Sequence, residues 1–562
     1  MEEDISCRVL IVDLDKSPVY EAISYVWGHE ADKAEILCDG GALQVPRNLI
    51  AALRRFRPST DTRLLWADSI CINQADILEK NRQVRIMGRI YASAATVLIW
   101  LGEGEEGELE QVALGLYTVL ELRKSGRLEE LQQSQLIPRP LEEIYDHMNS
   151  LISVACRIPA GRSTGLKALL RLTTTNPWFR RAWTFQESFL AKDRRLFYGS
   201  LEITANDLNV AFSVLGELHD TLEKGNGREL LRSSAMLLLG DASGNTTLRH
   251  FLNARRGSHC KHAVDLVYSL LGTTTGGTGI EPDYYKEFTE VFAEAMLSMI
   301  RADGNLAALE DVEVKPRGPG VPSWMPDWRK VPRNIRGMQG LKSHVFSCAG
   351  TTKPTLSISP NSLLLKIRGF LIDSIVELML PEEALKTTKA SKEVHMALVR
   401  ILCCDLAVSQ SDNAPTQRWD QSACDMYNAI AAEQNMSETS IEFSTFIQRV
   451  TRGSEYTRVM GTQCERKGLA LSNAEPGDVI AVLFGGRVPF VLRPTSYDEY
   501  SFVGPCYVDQ MMDGQAMEQL ANYRNEAIGT KLTRFSKCIA RQLTHPAENI
   551  PRFFQVRDFV LQ

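Results

Sequence analysis

The stretch Leu64–Gly102, LLWADSICINQADILEKNRQVRIMGRIYASAATVLIWLG, decides how this chain is read. It follows Arg63 with a nearly continuous apolar run to Ile72, interrupted by Asp68 and Ser69, which predicts a strand buried on both faces until its far end. After the polar turn Asn73-Gln74-Ala75-Asp76, the residues Val84, Met87, Gly88 and Tyr91 recur at i, i+3, i+4 and i+7 with charges between them. That is the pattern of an amphipathic helix. The run from Ala95 to Gly102 is again apolar, of strand length, and closed by glycine. Strand, helix and strand of these lengths predict a right-handed βαβ crossover and hence a parallel α/β sheet.

Working outward, Val19–Val26 mixes aromatic, β-branched and small residues and runs into Trp27-Gly28-His29, a strand followed by a loop. Two short apolar runs around Asp39-Gly40-Gly41 predict a hairpin. Pro46 then opens a helix in which Leu49, Ile50, Leu53 and Phe56 repeat at helical spacing. In open sheets of this kind ligands collect beyond the carboxyl ends of the strands. Trp27 and Gly28 after the first strand, and Asp68 through Gln74 after the second, are therefore the candidate rim. For Asp68 by itself a helix cap or an edge salt bridge is the competing reading.

Further along, Asn176 is placed to cap and Pro177 to open a helix that carries NPWFRRAWTFQESF, residues 176–189. Arg194–Thr204 reads as strand or hairpin, and Asp265–Gly272 and Glu287–Ile300 read as helices. The Gly-rich Gly272–Gly279 lacks both GxxxxGK[ST] and GxGxxG, so it is a connector and no phosphate cradle. Pro316–Pro332 concentrates Pro, Gly and Trp as an ordered, irregular strap, with a domain boundary near it. Beyond it, Ser362–Leu378, Gly477–Pro494 with a turn at Gly485-Gly486, and Tyr500–Gln515 are β-rich, with a helical stretch from Pro381 to Thr451 inserted. They predict a small antiparallel sheet or barrel. The expected division is an α/β domain over 1–200, a helical extension with the strap over 201–330, and a C-terminal α+β region over 331–562.

Bulk properties limit the function classes. At 562 residues the chain is too long for one core. Its 44% apolar and 23% charged residues fit a globular protein, and a net charge of −6 with interspersed basic residues argues against nucleic acid as a partner. The acidic run Glu103–Glu110 reads as a solvated surface insertion. No secretory leader and no apolar window of membrane-spanning length is evident, so a cytoplasmic, soluble protein without a membrane partner is expected. Twelve cysteines spread along the chain without a CxxC pair fit reduced thiols, and HCKH at His259–His262 lacks a matching second half for a metal site.

Three blocks together, Tyr20–Gly28, Leu64–Gly102 and Trp178–Glu187, resemble in order and spacing the signature blocks of the fungal heterokaryon-incompatibility (HET) domain. Val321–Trp328, Gly477–Pro494 and Phe502–Gln515 resemble the trailing region of stand-alone proteins of that family. His29 stands where members often have Asp or Ser, and Gln515 where Glu is more usual. The resemblance implies nonself recognition between fungal cells and the regulated cell death that follows. It further implies a TIR-like parallel sheet with flanking helices over 1–200. Several TIR domains cleave NAD at the nicotinamide bond, using an aromatic-x-x-x-Glu helix that corresponds here to Trp183–Glu187.

On that reading Glu187 is the catalytic carboxylate, an ionised group that stabilises positive charge growing on the ribose. Trp27, Gly28, Asp68, Asn73, Gln74 and Trp183 line the substrate, with the Trp183 indole supporting a flat ring. NAD is then a substrate, and no cofactor or metal is called for. Self-association and an incompatibility partner protein are the expected partners. Two alternatives stay open. Glu187 pairs with Arg180, Arg181 or a more distant arginine while Trp178, Trp183 and Phe185 fill core, and the domain acts as a non-enzymatic module that recruits partners. A Ser or Cys nucleophile finds no GxSxG elbow and no evident Cys-His arrangement.

Overall fold

The computed structural model describes residues 5–16, 18–58, 61–105, 107–125, 160–222, 246–312, 318, 320–330, 345–359, 363–388, 392–406, 454–496, 499–528 and 554–562. The chain divides into two compact units, Met1–Phe288 and Thr289–Gln562.

In the first unit, β1 (Ser6–Cys7), β3 (Lys33–Cys38) and β4 (Gly41–Pro46) form a small sheet of their own. The β3–β4 turn is Asp39-Gly40, with φ of 49° and 79°, the two left-handed residues that a two-residue hairpin of matching twist demands. The larger sheet contains β2 (Glu21–Ser24), β5 (Leu65–Trp66), β6 (Val97–Trp100), β7 (Arg194–Tyr198) and β8 (Leu201–Thr204), in the order β5-β2-β6-β7-β8. The first four are parallel, and β8 closes the edge as an antiparallel hairpin with β7. Numbered along the chain this order is 2-1-3-4-5, which reverses between β2 and β6. A crevice opens outside the strand ends at such a reversal.

Helix α1 (Arg47–Phe56) buries Leu49, Ile50, Ala52 and Phe56 against the sheet, where Phe56 meets Phe197 with ring centroids 5.0 Å apart. Helix α2 (Asp68–Cys71) and helix α3 (Ile77–Ser93) follow β5. Asp76 caps α3 by accepting from the backbone N–H groups of Leu78 and Glu79, and Val84, Met87, Gly88 and Tyr91 form its buried stripe, as their spacing indicates. Val97–Trp100 is buried throughout, as expected of a central parallel strand.

Two expectations are corrected here. The run Arg63–Ile72 is not one strand: β5 has two residues, and the chain turns into α2 with the N–H groups of Ile70 and Cys71 both donating to the Ala67 carbonyl. The turn brings Asp68 and Ser69 back to Tyr25, and a short apolar run gives no periodicity by which strand and helix can be told apart. The segment after Asn176 is likewise not one helix. Asn176 caps a 3-10 turn, Pro177–Arg180, and the chain then extends through Arg181 before α6 (Trp183–Phe189) begins. His259 holds it there: its N–H donates to the Arg180 carbonyl at 2.7 Å, and its carbonyl accepts from Ala182 N–H at 3.0 Å. Between β6 and this segment lie α4 (Glu108–Ser125) and α5 (Ala160–Thr175), whose backbones touch at Gly115 and Gly165. Glu108, within the acidic run, is held by Tyr198 and Arg171 at 2.5 Å each, while most of its neighbours are exposed.

In the second unit, β10 (Leu365–Met379), β13 (Val479–Leu483), β14 (Phe490–Ser496), β15 (Glu499–Pro505) and β17 (Arg557–Leu561) close on themselves as a five-stranded barrel. Ring closure comes from β10, which pairs with β13 on one side and β17 on the other. Its far half leaves the barrel to pair with β11 (Thr457–Thr462), which continues to β12 (Lys467–Leu471) and β16 (Tyr507–Val508). The described part of the Trp-rich strap is ordered and irregular, with Trp324 Nε1 donating to the Leu363 carbonyl at 3.0 Å. The expected helical insert is seen over Pro381–Thr388 and Lys392–Leu402, and residues 407–453 lie outside the described ones. Eight described cysteines are free, but Cys464 is disulfide-bonded, so the expectation of reduced thiols throughout does not hold.

Candidate active site

The carboxyl end of β2 delivers Ser24, which is 1% exposed. Its hydroxyl donates to Glu187 Oε2 at 2.5 Å and accepts from Trp178 Nε1 at 2.8 Å. Indole N–H is a donor only, so the serine proton is left pointing at the carboxyl group. Glu187 is 3% exposed, on the short helix α6 that the break at Arg181 sets against β2.

One residue on, the Tyr25 hydroxyl lies 2.9 Å from Asp68 Oδ1 and 2.6 Å from Ser69 Oγ. Trp27 Nε1 donates to both oxygens of Asp68, at 3.1 and 2.9 Å. Asp68 thus sits on the first turn of α2, partly exposed, held by the two aromatic residues that follow β2. Ser24 and Tyr25 are neighbours in the chain, so the Glu187 and Asp68 carboxyl groups stand on successive residues at the point where the strand order reverses.

Arg181 donates to the Tyr25 carbonyl at 3.4 Å, and its charge acts on both carboxyl groups. Among the described residues neither carboxyl makes an ion pair within 4 Å with it or with any other cation. Burial, then the charge of Asp68, raises the Glu187 pKa to about 8, with Arg181 and the Ser24 hydrogen bond pulling the other way. Burial also raises Asp68, against Arg181, Tyr25 and Trp27. At neutral pH Glu187 therefore holds its proton, and its environment can deliver either a proton or, beside a cation, a negative charge.

The other rim residues stand as follows. Gln74 Nε2 donates to the Asp68 main-chain carbonyl at 3.3 Å. Asn73 is exposed and builds the turn into α3: its Oδ1 accepts from Ala75 N–H and its own N–H donates to Glu79. Gly28 is exposed at φ +74°, with open space where a Cβ would stand. Trp183 is partly exposed, one helical turn before Glu187. Sequence reasoning missed Ser24, Tyr25 and Tyr91, gave Trp178 only a packing role, and offered Arg181 as an ion-pair partner of Glu187, a pair the structure does not form. Ser24 stands between Tyr20 and Tyr25 in the predicted strand Val19–Val26, so its hydroxyl carried no distinguishing signal. Tyr91, whose hydroxyl donates to the Ile23 carbonyl at 3.2 Å, was masked by its place in a helical stripe.

The heterokaryon incompatibility protein (HET) family profile matches residues 20–187, from the residue before β2 to Glu187 itself. A second profile, the Het-6 beta-barrel domain, matches residues 408–525. Heterokaryon incompatibility protein 6, OR allele, of Neurospora crassa is 23% identical over 633 aligned positions, covering 91% of this chain and 92% of that protein. The chain thus carries a HET-family match over residues 20–187 and is similar to that protein over most of its length. No solved structure matches it significantly. Every residue of the Glu187–Asp68 arrangement falls inside the HET match. The barrel match, by contrast, omits β10 and β17, the two strands through which the ring closes. The HET match and this similarity support a role in fungal nonself recognition. No helix among the described residues is long and apolar enough to cross a membrane.

Proposed function

We propose that this HET protein executes the cell-death step of nonself recognition by hydrolysing NAD at the β2 strand end, with Glu187 as the key carboxyl group. The observation that carries the reading is a buried carboxyl group without an ion-pair partner, hydrogen-bonded by Ser24 at a sheet reversal and shadowed by a second carboxyl group, Asp68. The 2-1-3-4-5 strand order supports the TIR-like part of the proposal.

In the reaction, the ribosyl C–N bond breaks, nicotinamide leaves with its electron pair, and water supplies the new C–O bond and releases a proton. A nicotinamide ring cation brought beside Glu187 lowers the carboxyl pKa and ionises it as positive charge moves onto the sugar. Asp68 and Trp27 hold the rim. Glu187 is buried in the resting chain, so the proposal includes an opening of Trp27, Asp68 and Arg181 when chains self-associate.

The burial and hydrogen-bond satisfaction of Glu187 also favour a second reading, a non-enzymatic module in which the carboxyl group only ties α6 to β2. One experiment separates them. Full-length protein, clustered through a fused oligomerising tag, depletes NAD on the first reading and loses that ability at least 100-fold in Glu187→Gln. Toxicity that survives the substitution with NAD unchanged supports the second.

A further inference from the structure

The small sheet of the first unit carries two thiols that the proposed reaction does not use. β1 and β3 run parallel, with Ser6 opposite Leu37 and Cys7 opposite Cys38. Backbone hydrogen bonds fix that register: Leu37 N–H donates to the Ile5 carbonyl at 3.1 Å, and Asp39 N–H to the Cys7 carbonyl at 3.0 Å. Side chains alternate between the two faces along a strand. Ile5 and Ile36, two residues before Cys7 and Cys38, are both buried in the core cluster, so the two thiols share that face at the end of the ladder. Both cysteines are partly exposed, and the residues flanking them in the chain are exposed.

The thiols are hydrogen-bonded to each other. Burial, then that hydrogen bond, pushes the Cys7 thiol up to about 12, so Cys7 keeps its proton and donates it towards the Cys38 sulfur. Adjacent strands lie about 4.8 Å apart, inside the range of about 4.4–6.8 Å between Cα atoms that a disulfide spans. Cys71, on α2, is near enough to interact electrostatically with both, but its own hydrogen bond is to the Ala67 backbone. Among the described residues no three Cys, His, Asp or Glu side chains converge as a metal site requires. The geometry favours a bond between two sulfurs.

We propose that Cys7 and Cys38 are a reversible redox pair, which a low-molecular-weight disulfide such as oxidised glutathione converts into an intramolecular disulfide. Cys38, as thiolate, attacks one sulfur of the small disulfide and expels the other as a thiolate, leaving a mixed disulfide. Cys7 then gives its proton to solvent, and its sulfur displaces the second small thiol from Cys38. The two protein thiols are oxidised, and the small disulfide is reduced to two thiols. Because Cys7 holds its proton tightly, the second step is the slower one, and the mixed disulfide at Cys38 appears first. The bond ties β1 to β3 in the cluster against which Trp27 also packs. In a reducing compartment such a bond is transient and serves as a sensor. The pair is separate from the proposed hydrolysis and stands if that reading fails.

The test treats the native full chain with oxidised glutathione, blocks the remaining thiols with iodoacetamide and maps the peptides by mass spectrometry. Glutathione is expected on Cys38 first, followed by a linked Cys7–Cys38 peptide that dithiothreitol reverses, while Cys71 stays alkylated. Cys7→Ser stops the reaction at the Cys38 mixed disulfide. Cys38→Ser abolishes the link and leaves Cys7 at least about tenfold slower to react than Cys38 in the wild type. The wild-type map decides the matter even where a variant fails to fold, and the same treatment in urea is expected to scramble the pairing. Alkylation of both thiols, a Cys38–Cys71 or interchain link, or the same pairing preference in urea overturns the proposal.

Discussion

The barrel unit and the α/β unit treat buried carboxyl groups in opposite ways. In the barrel unit four buried carboxyl groups are clamped by arginine: Asp373 by Arg466 at 2.7 Å with Thr462 in support, Asp327 by Arg329 at 2.7 Å, Asp478 by Arg493 at 2.8 Å, and Glu310 by Arg487. In the α/β unit the buried Glu187 and the partly exposed Asp68 are met by a serine, a tyrosine and an indole, all neutral, while Arg181 stays beyond ion-pair distance. A buried charge tied to its counter-ion is fixed in one protonation state and serves architecture. A buried carboxyl group held only by neutral donors keeps a movable proton, the property a reacting site needs. The difference separates charge-paired carboxyl groups in one unit from neutrally held ones in the other, and it is the contrast on which the proposed function rests.

The sharpest way to break this comparison is to disarm one carboxyl group of each kind. Arg466→Ala strands Asp373 as an uncompensated buried charge and is expected to cost the second unit about 3–5 kcal/mol. Glu187→Gln replaces a protonated carboxyl group by a neutral isostere and is expected to change stability at pH 7 by less than about 1 kcal/mol. Urea denaturation with hydrogen exchange read separately from peptides of the two units measures both. Equal losses would erase the distinction.

Ser24→Ala sharpens it from the other side. It leaves Trp178 Nε1 buried without its acceptor and is expected to cost about 1–3 kcal/mol. It also moves the Glu187 midpoint further upward, because the hydroxyl favours the ionised form. An unchanged or lowered midpoint would show that Ser24 does not hold the charge.

A smaller effect appears as a pH slope. Glu187 has a folded pKa raised above its unfolded value, so the folded chain binds more protons between about pH 4.5 and 8. Its contribution to stability is present in full below the unfolded pKa and is lost as pH rises through about 8, with a slope of at most about 1.4 kcal/mol per pH unit. Unfolding free energies at half-unit pH intervals should show this slope in the wild type and its loss in Glu187→Gln.

Much of the fold was legible because its signals are local. The stripe of α3, the apolar β6 and the Asp39-Gly40 turn each follow from spacing or backbone chemistry within a few residues. Two elements were misread because distant partners decide them. Tyr25 and Trp27 pull Asp68 into a helical turn where an apolar run suggested strand, and His259 breaks a helix that Asn176 and Pro177 begin. The same reason limits the site. Glu187 and Asp68 were named from the sequence, but the hydroxyl between Trp178 and Glu187 comes from a strand more than 150 residues upstream, as the separations of 154 and 163 positions show. Arg181 lay inside the quoted motif, yet its reach to the Tyr25 carbonyl depends on a backbone bridge to His259.

The contrast between the two units rests on the protonation of one side chain, and that can be observed directly. Carboxyl 13C NMR of selectively labelled glutamate, with the Glu187 signal assigned by its absence in Glu187→Gln, follows the titration in the folded full chain. The account predicts a protonated group at pH 7 with a midpoint of about 8. A midpoint near 4, the value of an ordinary exposed glutamate, would contradict it.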